Sequence, residues 1–307
     1  MYYFIVNPNS RSGKGALIWK DLEGILNERN VEYKTFFTEY RGHAVLLSES
    51  ITSDAAPENP VTLIAVGGDG TIQEVLSGVR DLSYITFGYI PTGSGNDFCR
   101  GMKLPMAPTE ALNLILSDCR PHPMDVPTLT CSTGSSHFAI SCGIGFDAGV
   151  CHEVGITPMK KVLNRIGLGK LVYLFVALKQ LFFLNPSPMT LVMDDDNVQQ
   201  FSKVYFTAVM NQKYEGGGFK FCPDASPSDG YLDVIVVDSL SKPKVICCLP
   251  TAFFGKHTHF NGIHIFRCKK IDIHSEARLA VHKDGESAGL LHDFSVCMEP
   301  KQINMIS

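Results

Sequence analysis

Two structural regimes in one chain are predicted: a doubly wound α/β domain followed by a mainly β domain. Up to about residue 126, short apolar runs alternate with helical patterns, the grammar of a parallel sheet wound with helices. From residue 127 the alternation stops, and strand-like runs follow one another at 138–141, 190–193, 204–210, 231–237 and 271–274. A helical insertion around 162–184 interrupts them. Glycine-rich loops follow three of the N-terminal strands, which should line one edge of one sheet.

Residues 2–6, YYFIV, read as the first strand and lead into Asn7-Pro8-Asn9-Ser10-Arg11-Ser12-Gly13-Lys14-Gly15. Lys14 and Arg11 would meet polyphosphate, but the spacing is not GxxxxGK[ST], so P-loop mechanics do not apply. Alone, this is a polar strand-to-helix loop. Ile18, Leu22, Ile25 and Leu26 mark the helix after it. Residues 31–37 and 43–53 supply another strand and helix, and 54–60 a loop.

The stretch 61–79, VTLIAVGGDGTIQEVLSGV, is the most informative. An apolar strand stops at Gly67, Gly68, Asp69, Gly70 and Thr71, and Ile72, Val75, Leu76 and Val79 then recur at helical spacing. Open α/β sheets bind ligands at this edge, where a helix N-terminus attracts anions and glycine lets the backbone come close. Asp69 would repel a phosphate unless a cation lay between, so it points to Mg²⁺ or to a nucleotide hydroxyl. The plainer reading is a glycine-rich turn capped by Asp69. Residues 83–90 repeat the architecture and run into Pro91-Thr92-Gly93-Ser94-Gly95-Asn96-Asp97-Phe98, where Asp97 opens the next helix as a cap or a metal ligand.

Composition narrows the class. The 307 residues are 45% hydrophobic and 19% charged, an ordinary globular balance with room for two domains. A formal net charge of -4 and a pI near 6.2 argue against broad nucleic-acid binding. Ten cysteines form no CxxC pair, and no signal-peptide pattern opens the chain, so a reduced, cytoplasmic protein is expected. The run 171–184 is interrupted by Lys179 and Gln180 and is shorter than the roughly 20 residues of a membrane span. It reads as a buried or subunit-contact helix, or as a lipid-admitting surface flanked by Lys160, Lys161, Arg165 and Lys170. Residues 194–197, DDDN, read as a solvated hairpin turn, and His257 and His259, which would share one face of a strand, as structural, with no third metal ligand nearby.

In order along the chain, NPNSRSGKG, TEYRGHA, GGDGTIQEV, PTGSGNDFCR, MDV, EGGGFKFCPDASPSDGYLDV and KDGE resemble the soluble diacylglycerol kinase catalytic family, which includes bacterial lipid kinases and sphingosine and ceramide kinases. GGDG alone is shared with NAD kinases and phosphofructokinases; GSGNDF and the EGGG to LDV segment discriminate. The resemblance implies an N-terminal doubly wound α/β nucleotide-binding domain at 1–127 and a C-terminal mainly antiparallel β-sandwich domain at 128–290. The tail 291–307 would return to the first domain. It further implies ATP on Asn7, Lys14, Thr38, Gly67, Gly68, Asp69, Gly70, Thr71, Glu74, Thr92, Gly93, Ser94 and Asn96. Asp69, Asp97, Asp125, Asp284 and Glu286 would form an acidic network around Mg²⁺, with Asp284 as the base. A structural Mg²⁺ would lie at Asp229 and the carbonyls near Ser226 and Tyr231.

The expected activity is ATP-dependent phosphorylation of a lipid hydroxyl, diacylglycerol first among acceptors, by a cytoplasmic protein at a membrane surface, with dimers suggested. An NAD kinase-like enzyme and a catalytically silent nucleotide- or lipid-binding protein are the alternatives. Two departures stand out: Gln73 where the family usually has Asn, and Ser228 where a second acid often stands.

Overall fold

Strand β1 (Tyr2–Val6) places Phe4 and Val6 on one face of a sheet and Ile5 on the other, and both faces are buried. That is the demand a parallel sheet makes when helices cover both sides. The structure is a computed structural model that describes residues 1–93, 95–145 and 185–307. Ser94 and the expected insertion, with Lys160, Lys161, Arg165, Lys170 and the run 171–184, lie outside the described residues.

The first sheet has the order β2-β1-β3-β4-β17-β5, with β2 (Tyr33–Phe37), β3 (Val61–Gly67), β4 (Ile85–Pro91), β5 (His122–Met124) and β17 (Ile303–Met305). All of its pairs are parallel except β17 with β5. After a single turn α1 (Ser10–Gly13), helix α2 (Gly15–Glu28) brings Trp19, Leu22 and Leu26 onto the Phe4 face, with α6 (Pro108–Ile115) beside it. Helices α3 (His43–Thr52), α4 (Asp69–Gly78) and α5 (Asp97–Met102) cover the Ile5 face. The expected α/β domain is therefore present. One boundary moves: residues 82–84 form a 3₁₀ turn, so β4 begins at Ile85.

The second sheet pairs its strands antiparallel throughout. It comprises β6 (Pro127–Cys131), β7 (Gly134–His137), β8 (Ser141–Gly145), β9 (Ser187–Met193), β10 (Asn197–Met210), β13 (Leu232–Asp238), β14 (Ile263–Cys268), β15 (Lys270–Lys283) and β16 (Glu286–Met298). Two long strands change partners midway. β10 pairs β9 up to Val204 and β8 from Phe206, and β15 pairs β9 over 271–275 and β8 over 281–283. Strands that cross between layers at such irregularities make the corners of a sandwich. A core of Leu129, Ile144, Leu191, Val234, Ile273 and Phe294 fills the interior. On the other face of β10 and β13, helix α7 (Lys242–Ala252) seats Val245 and Cys248 against Phe206 and Ile235.

Three expectations need correction. Residues 138–140 are not strand but a bend before β8: the Phe138 N–H goes to the Pro127 carbonyl, and those of Ala139 and Ile140 are committed to a side chain described below. His257 and His259 lie on a 3₁₀ turn rather than a strand, and His257 is buried with Nε2 on the Phe221 carbonyl at 3.0 Å. The tail does not leave the second sheet at Leu291: β16 stays paired with β15 and β6 to Met298, and the chain re-enters the first sheet only at Ile303.

Candidate active site

The parallel register sets the ends of β1, β3 and β4 side by side, with Val6 opposite Val66 and Gly67 opposite Pro91. The three loops that follow are sewn together there. The Gly67 carbonyl accepts from the N–H of Thr92 at 2.7 Å and of Gly93 at 3.1 Å, and from the Tyr89 hydroxyl. Asn7 Nδ2 donates to Thr71 Oγ1 at 3.2 Å, and the Ser10 and Thr92 hydroxyls meet at 2.7 Å. Thr38, which follows β2, donates its N–H to Val6. Gly68 and Gly93 face each other so closely that a Cβ on Gly93 would lie 2.7 Å from the Gly68 Cα.

Not every expected nucleotide contact faces this floor in the same way. Lys14 is exposed at the junction of α1 and α2. Glu74 turns its carboxylate to the Gly42 N–H at 2.9 Å and so holds the loop before α3. Gln73 spans to the second domain, with Nε2 on Ser77 Oγ at 2.8 Å and on the His137 carbonyl at 3.2 Å. Its longer reach clasps the domains together.

Three of the five expected acids converge. Asp69, at the first position of α4, is half-buried, and burial, then the Asp97 and Asp284 carboxylates, push its pKa up to about 7. Among the described residues its Oδ1 has no hydrogen-bond partner, nor does the buried Asn96 Oδ1. Asp97 Oδ2 accepts from the Gly217 N–H at 2.7 Å, and Oδ1 pairs with Arg100 at 2.6 Å. Burial raises its pKa, while those partners oppose the rise. Gly216, Gly217 and Gly218 all have positive φ, a run that only glycine sustains, so the EGGG segment can turn its N–H groups onto a carboxylate of the other domain.

Asp284 completes the group. With Gly285 it forms the two-residue loop between β15 and β16, and both residues have positive φ, 47° and 79°. This is the type I′ geometry that Asp-Gly favours in a hairpin. The turn sends the carboxylate inward, where Oδ2 accepts from the Ala139 N–H at 2.8 Å and Oδ1 from Ile140 at 2.7 Å and Ser141 at 3.0 Å. Burial pushes its pKa up to about 6 against the pull of those three donors. Glu286 lies beside Gly70, where an added Cβ would be 3.1 Å from its Oε1, and pairs with Arg41 at 2.8 Å.

Asp125 has a structural task of its own. Its Oδ2 accepts from the Gly230 N–H and its Oδ1 from Gln302 Nε2, each at 2.7 Å, so its carboxylate clasps the 227–230 loop and the C-terminal segment while each oxygen keeps a lone pair. Asp229, the expected ligand of a structural cation, is ion-paired with Arg267 and accepts the Tyr231 N–H at 3.1 Å. The guanidinium also lies 4.5 Å from the Tyr231 ring centre, with the Lys269 ammonium 5.2 Å away. A loop whose one carboxylate already faces a fixed cation, with Ser228 rather than a second acid, does not fit Mg²⁺.

Among the described residues no three acidic, histidine or cysteine side chains are already spaced as a metal shell, but Asp69, Asp97 and Asp284 suit a divalent cation better than the 226–231 loop does. Burial and the Asp97 and Asp284 carboxylates raise the pKa of Asp69, whose Oδ1 has no partner among the described residues, so a bound positive charge would relieve it.

Residues that no motif marked support the site. Asn211 Nδ2 donates to the carbonyls of Asp125 at 2.9 Å and Ala139 at 3.0 Å, fixing the bend that cradles Asp284. A buried pair between His282 and Glu215, 3.0 Å apart, lies at the hairpin and the EGGG segment. Glu215 opens the quoted EGGG segment without having been singled out, and Asn211 and His282 had position as their only sequence signal, each within a few residues of a quoted motif.

Comparison with known proteins identifies both domains. Residues 1–129 match the diacylglycerol kinase catalytic domain, and residues 142–307 match the YegS C-terminal NAD kinase beta sandwich-like domain. A Bacillus subtilis (strain 168) protein named "Putative lipid kinase YtlR" is 31% identical over 94% of each chain. A diacylglycerol kinase of Mycobacterium tuberculosis (strain H37Rv) is 29% identical over 91% of this chain and 87% of its own. A crystal structure of a diacylglycerol kinase from Bacillus anthracis str. Sterne, 22% identical, superposes with a TM-score of 0.70 over 99% of this chain and 96% of its own. An NAD kinase from Archaeoglobus fulgidus shares the fold at a TM-score of 0.54 and 12% identity, over 100% of this chain and 94% of its own. The chain thus belongs to the diacylglycerol kinase family of lipid kinases, with the nucleotide-domain motifs and the β-sandwich that this family joins.

Proposed function

We propose that this protein transfers the γ-phosphate of ATP to a hydroxyl of a membrane-derived lipid, diacylglycerol first among candidates, giving phosphatidic acid. The carrying observation is Asp284: a buried carboxylate held by three backbone donors, facing the glycine-loop floor together with Asp69 and Asp97. Phosphoryl transfer needs positioning and charge neutralisation more than covalent chemistry.

The loops after β1, β3 and β4 hold the phosphates against backbone N–H groups and the N-terminus of α4. Mg²⁺ bound at Asp69 and Asp97 would neutralise the phosphate oxygens. Asp284 orients the acceptor hydroxyl through Oδ2, which takes one backbone N–H among the described residues and keeps a lone pair. It accepts the proton as the hydroxyl oxygen bonds to the γ-phosphorus and the bond to the β–γ bridging oxygen breaks, releasing ADP.

The test is Mg²⁺-dependent transfer of labelled γ-phosphate from ATP to detergent-dispersed lipid extracts, with Asp284→Asn as control. Asp284→Asn is expected to lower turnover by about 10²–10⁴-fold while ATP still binds. Near-normal turnover in the variant removes Asp284 from the role of base. NAD offered in parallel separates the alternative substrate, since NADP formation in place of labelled lipid would overturn the lipid assignment.

A further inference from the structure

The turn after α7 carries an aromatic surface that the core does not use. Phe254 is 74% exposed, Ile246 45%, Phe253 44% and Phe260 40%. They lie on one continuous stretch of chain: the outer face of α7 and the residues after it, while Val245, Cys248 and Ala252 face inward. Isolated exposed apolar residues are unremarkable, but a cluster of four bulky ones marks an interaction surface.

The charge around the cluster is mainly basic: the exposed Asp224, next to Pro223 at the Gly255 turn, is outnumbered by Lys220, Lys244 and Lys256. Between Asp238 and Asp272 the sequence contains no acid, and Lys244 and Lys256 stand exposed among the aromatics. Lys220 approaches the same turn from β12 (Phe219–Lys220), its Cδ 3.9 Å from where a Gly255 Cβ would be. Aromatic rings bracketed by lysines match an anionic bilayer, in which rings enter the interface and ammonium groups meet headgroups.

The surface is tied to the active site through one short segment. Phe219 stacks on Phe253 with ring centres 3.9 Å apart, and two residues earlier Gly217 donates its N–H to Asp97. Two residues span at most about 7 Å.

We propose that the Ile246, Phe253, Phe254 and Phe260 face, with Lys244 and Lys256, is the membrane-docking surface, which seats on an anionic bilayer and delivers the acceptor lipid beside the EGGG loop. This rests on the reading of the chain as a lipid kinase.

The test is co-sedimentation of the full chain, without nucleotide, with phosphatidylcholine vesicles with and without phosphatidylglycerol. Wild type is expected to bind the phosphatidylglycerol-bearing vesicles, and Phe254→Ser to bind them about tenfold more weakly. Lys244→Glu with Lys256→Glu is expected to abolish the preference for phosphatidylglycerol. Phe254→Ser should keep wild-type turnover on a short-chain, monomeric diacylglycerol. Wild type that ignores both vesicles, or variants that bind as wild type does, would overturn the docking surface. So would a dimer-to-monomer change in Phe254→Ser with vesicle binding intact, which would assign the face to a second copy of the chain. Failure of wild type on the monomeric acceptor would instead count against the lipid-kinase reading, because vesicle binding is scored separately.

Discussion

Asp284 shows how much structure one carboxylate requires. Its left-handed backbone is uncommon for a non-glycine residue and is sustained by the hairpin, and its side chain is sustained by a bend whose carbonyl at Ala139 is pinned by Asn211. His257 shows the opposite economy. Its Nε2 bonds the Phe221 carbonyl, its Nδ1 is buried without a partner, and burial lowers its pKa. The unfolded chain, with an ordinary imidazole near 6.5, therefore binds more protons than the folded one just below that pH. His257 contributes stability fully above about pH 6.5 and loses it as pH falls through the folded value. His257→Gln, which retains a donor but cannot titrate, should accordingly gain on wild type in urea midpoint between pH 7.5 and pH 5.5. A difference that stays constant across that range would remove His257 from the acid response. At this scale GGDG, NDF and DG were legible because each sits where a strand ends and chemistry begins. Asp125 was not, because an acid's letter does not say that Gly230 and Gln302 bond to its oxygens.

Among the elements, the paired glycine loops are the part most sensitive to added atoms. A Cβ on Gly93 would press on the Gly68 backbone, which cannot swing away as a side chain could, so the two loops must part. Gly93→Ala is expected to cost about 1–3 kcal/mol by urea unfolding and to weaken ATP binding more than tenfold by titration calorimetry. Wild-type ATP affinity would mean that the nucleotide does not rest on this seam. The 226–231 loop makes a contrary prediction, for its carboxylate is matched by Arg267 rather than by a metal. The nucleotide-free Asp69→Asn chain, in which the active-site carboxylate cluster is broken, should melt at the same temperature with and without EDTA, and Arg267→Ala should cost at most about 1 kcal/mol. Melting several degrees lower in EDTA would restore a structural cation. Helical spacing and apolar runs gave β1, β2, β3, β4 and α3 within a residue or two, but only parts of β9, β10 and β15, and left α6, α7, β14 and β16 unread. The bend at 138–140 escaped because its apolar letters match a strand, while a residue nearly 150 positions away claims the Ala139 and Ile140 N–H groups.

The molecule as a whole is closed by its last residues. β17 lies between β4 and β5, and among the described residues β5 joins the first sheet through β17 alone, so the C-terminal segment completes a domain begun at Tyr2. Ile303, Met305 and Ile306 are buried in that domain, and Gln302 holds Asp125. The return itself was expected from family resemblance, but its starting point was not, because β16 reads as strand in either sheet and only pairing decides. Three buried apolar side chains are worth about 5–9 kcal/mol, comparable with the whole stability of an ordinary domain. Removing residues 302–307 should therefore unfold the first domain while the β-sandwich persists. The single tryptophan, Trp19, is buried against Phe4 in the first domain and reports on it alone. Its emission should shift to the red in the truncated chain without denaturant, while far-ultraviolet dichroism keeps a β signature. An unshifted Trp19 spectrum with the full-length urea midpoint would show that the α/β domain stands without its final strand, and that the two crossings between domains serve the site rather than the fold.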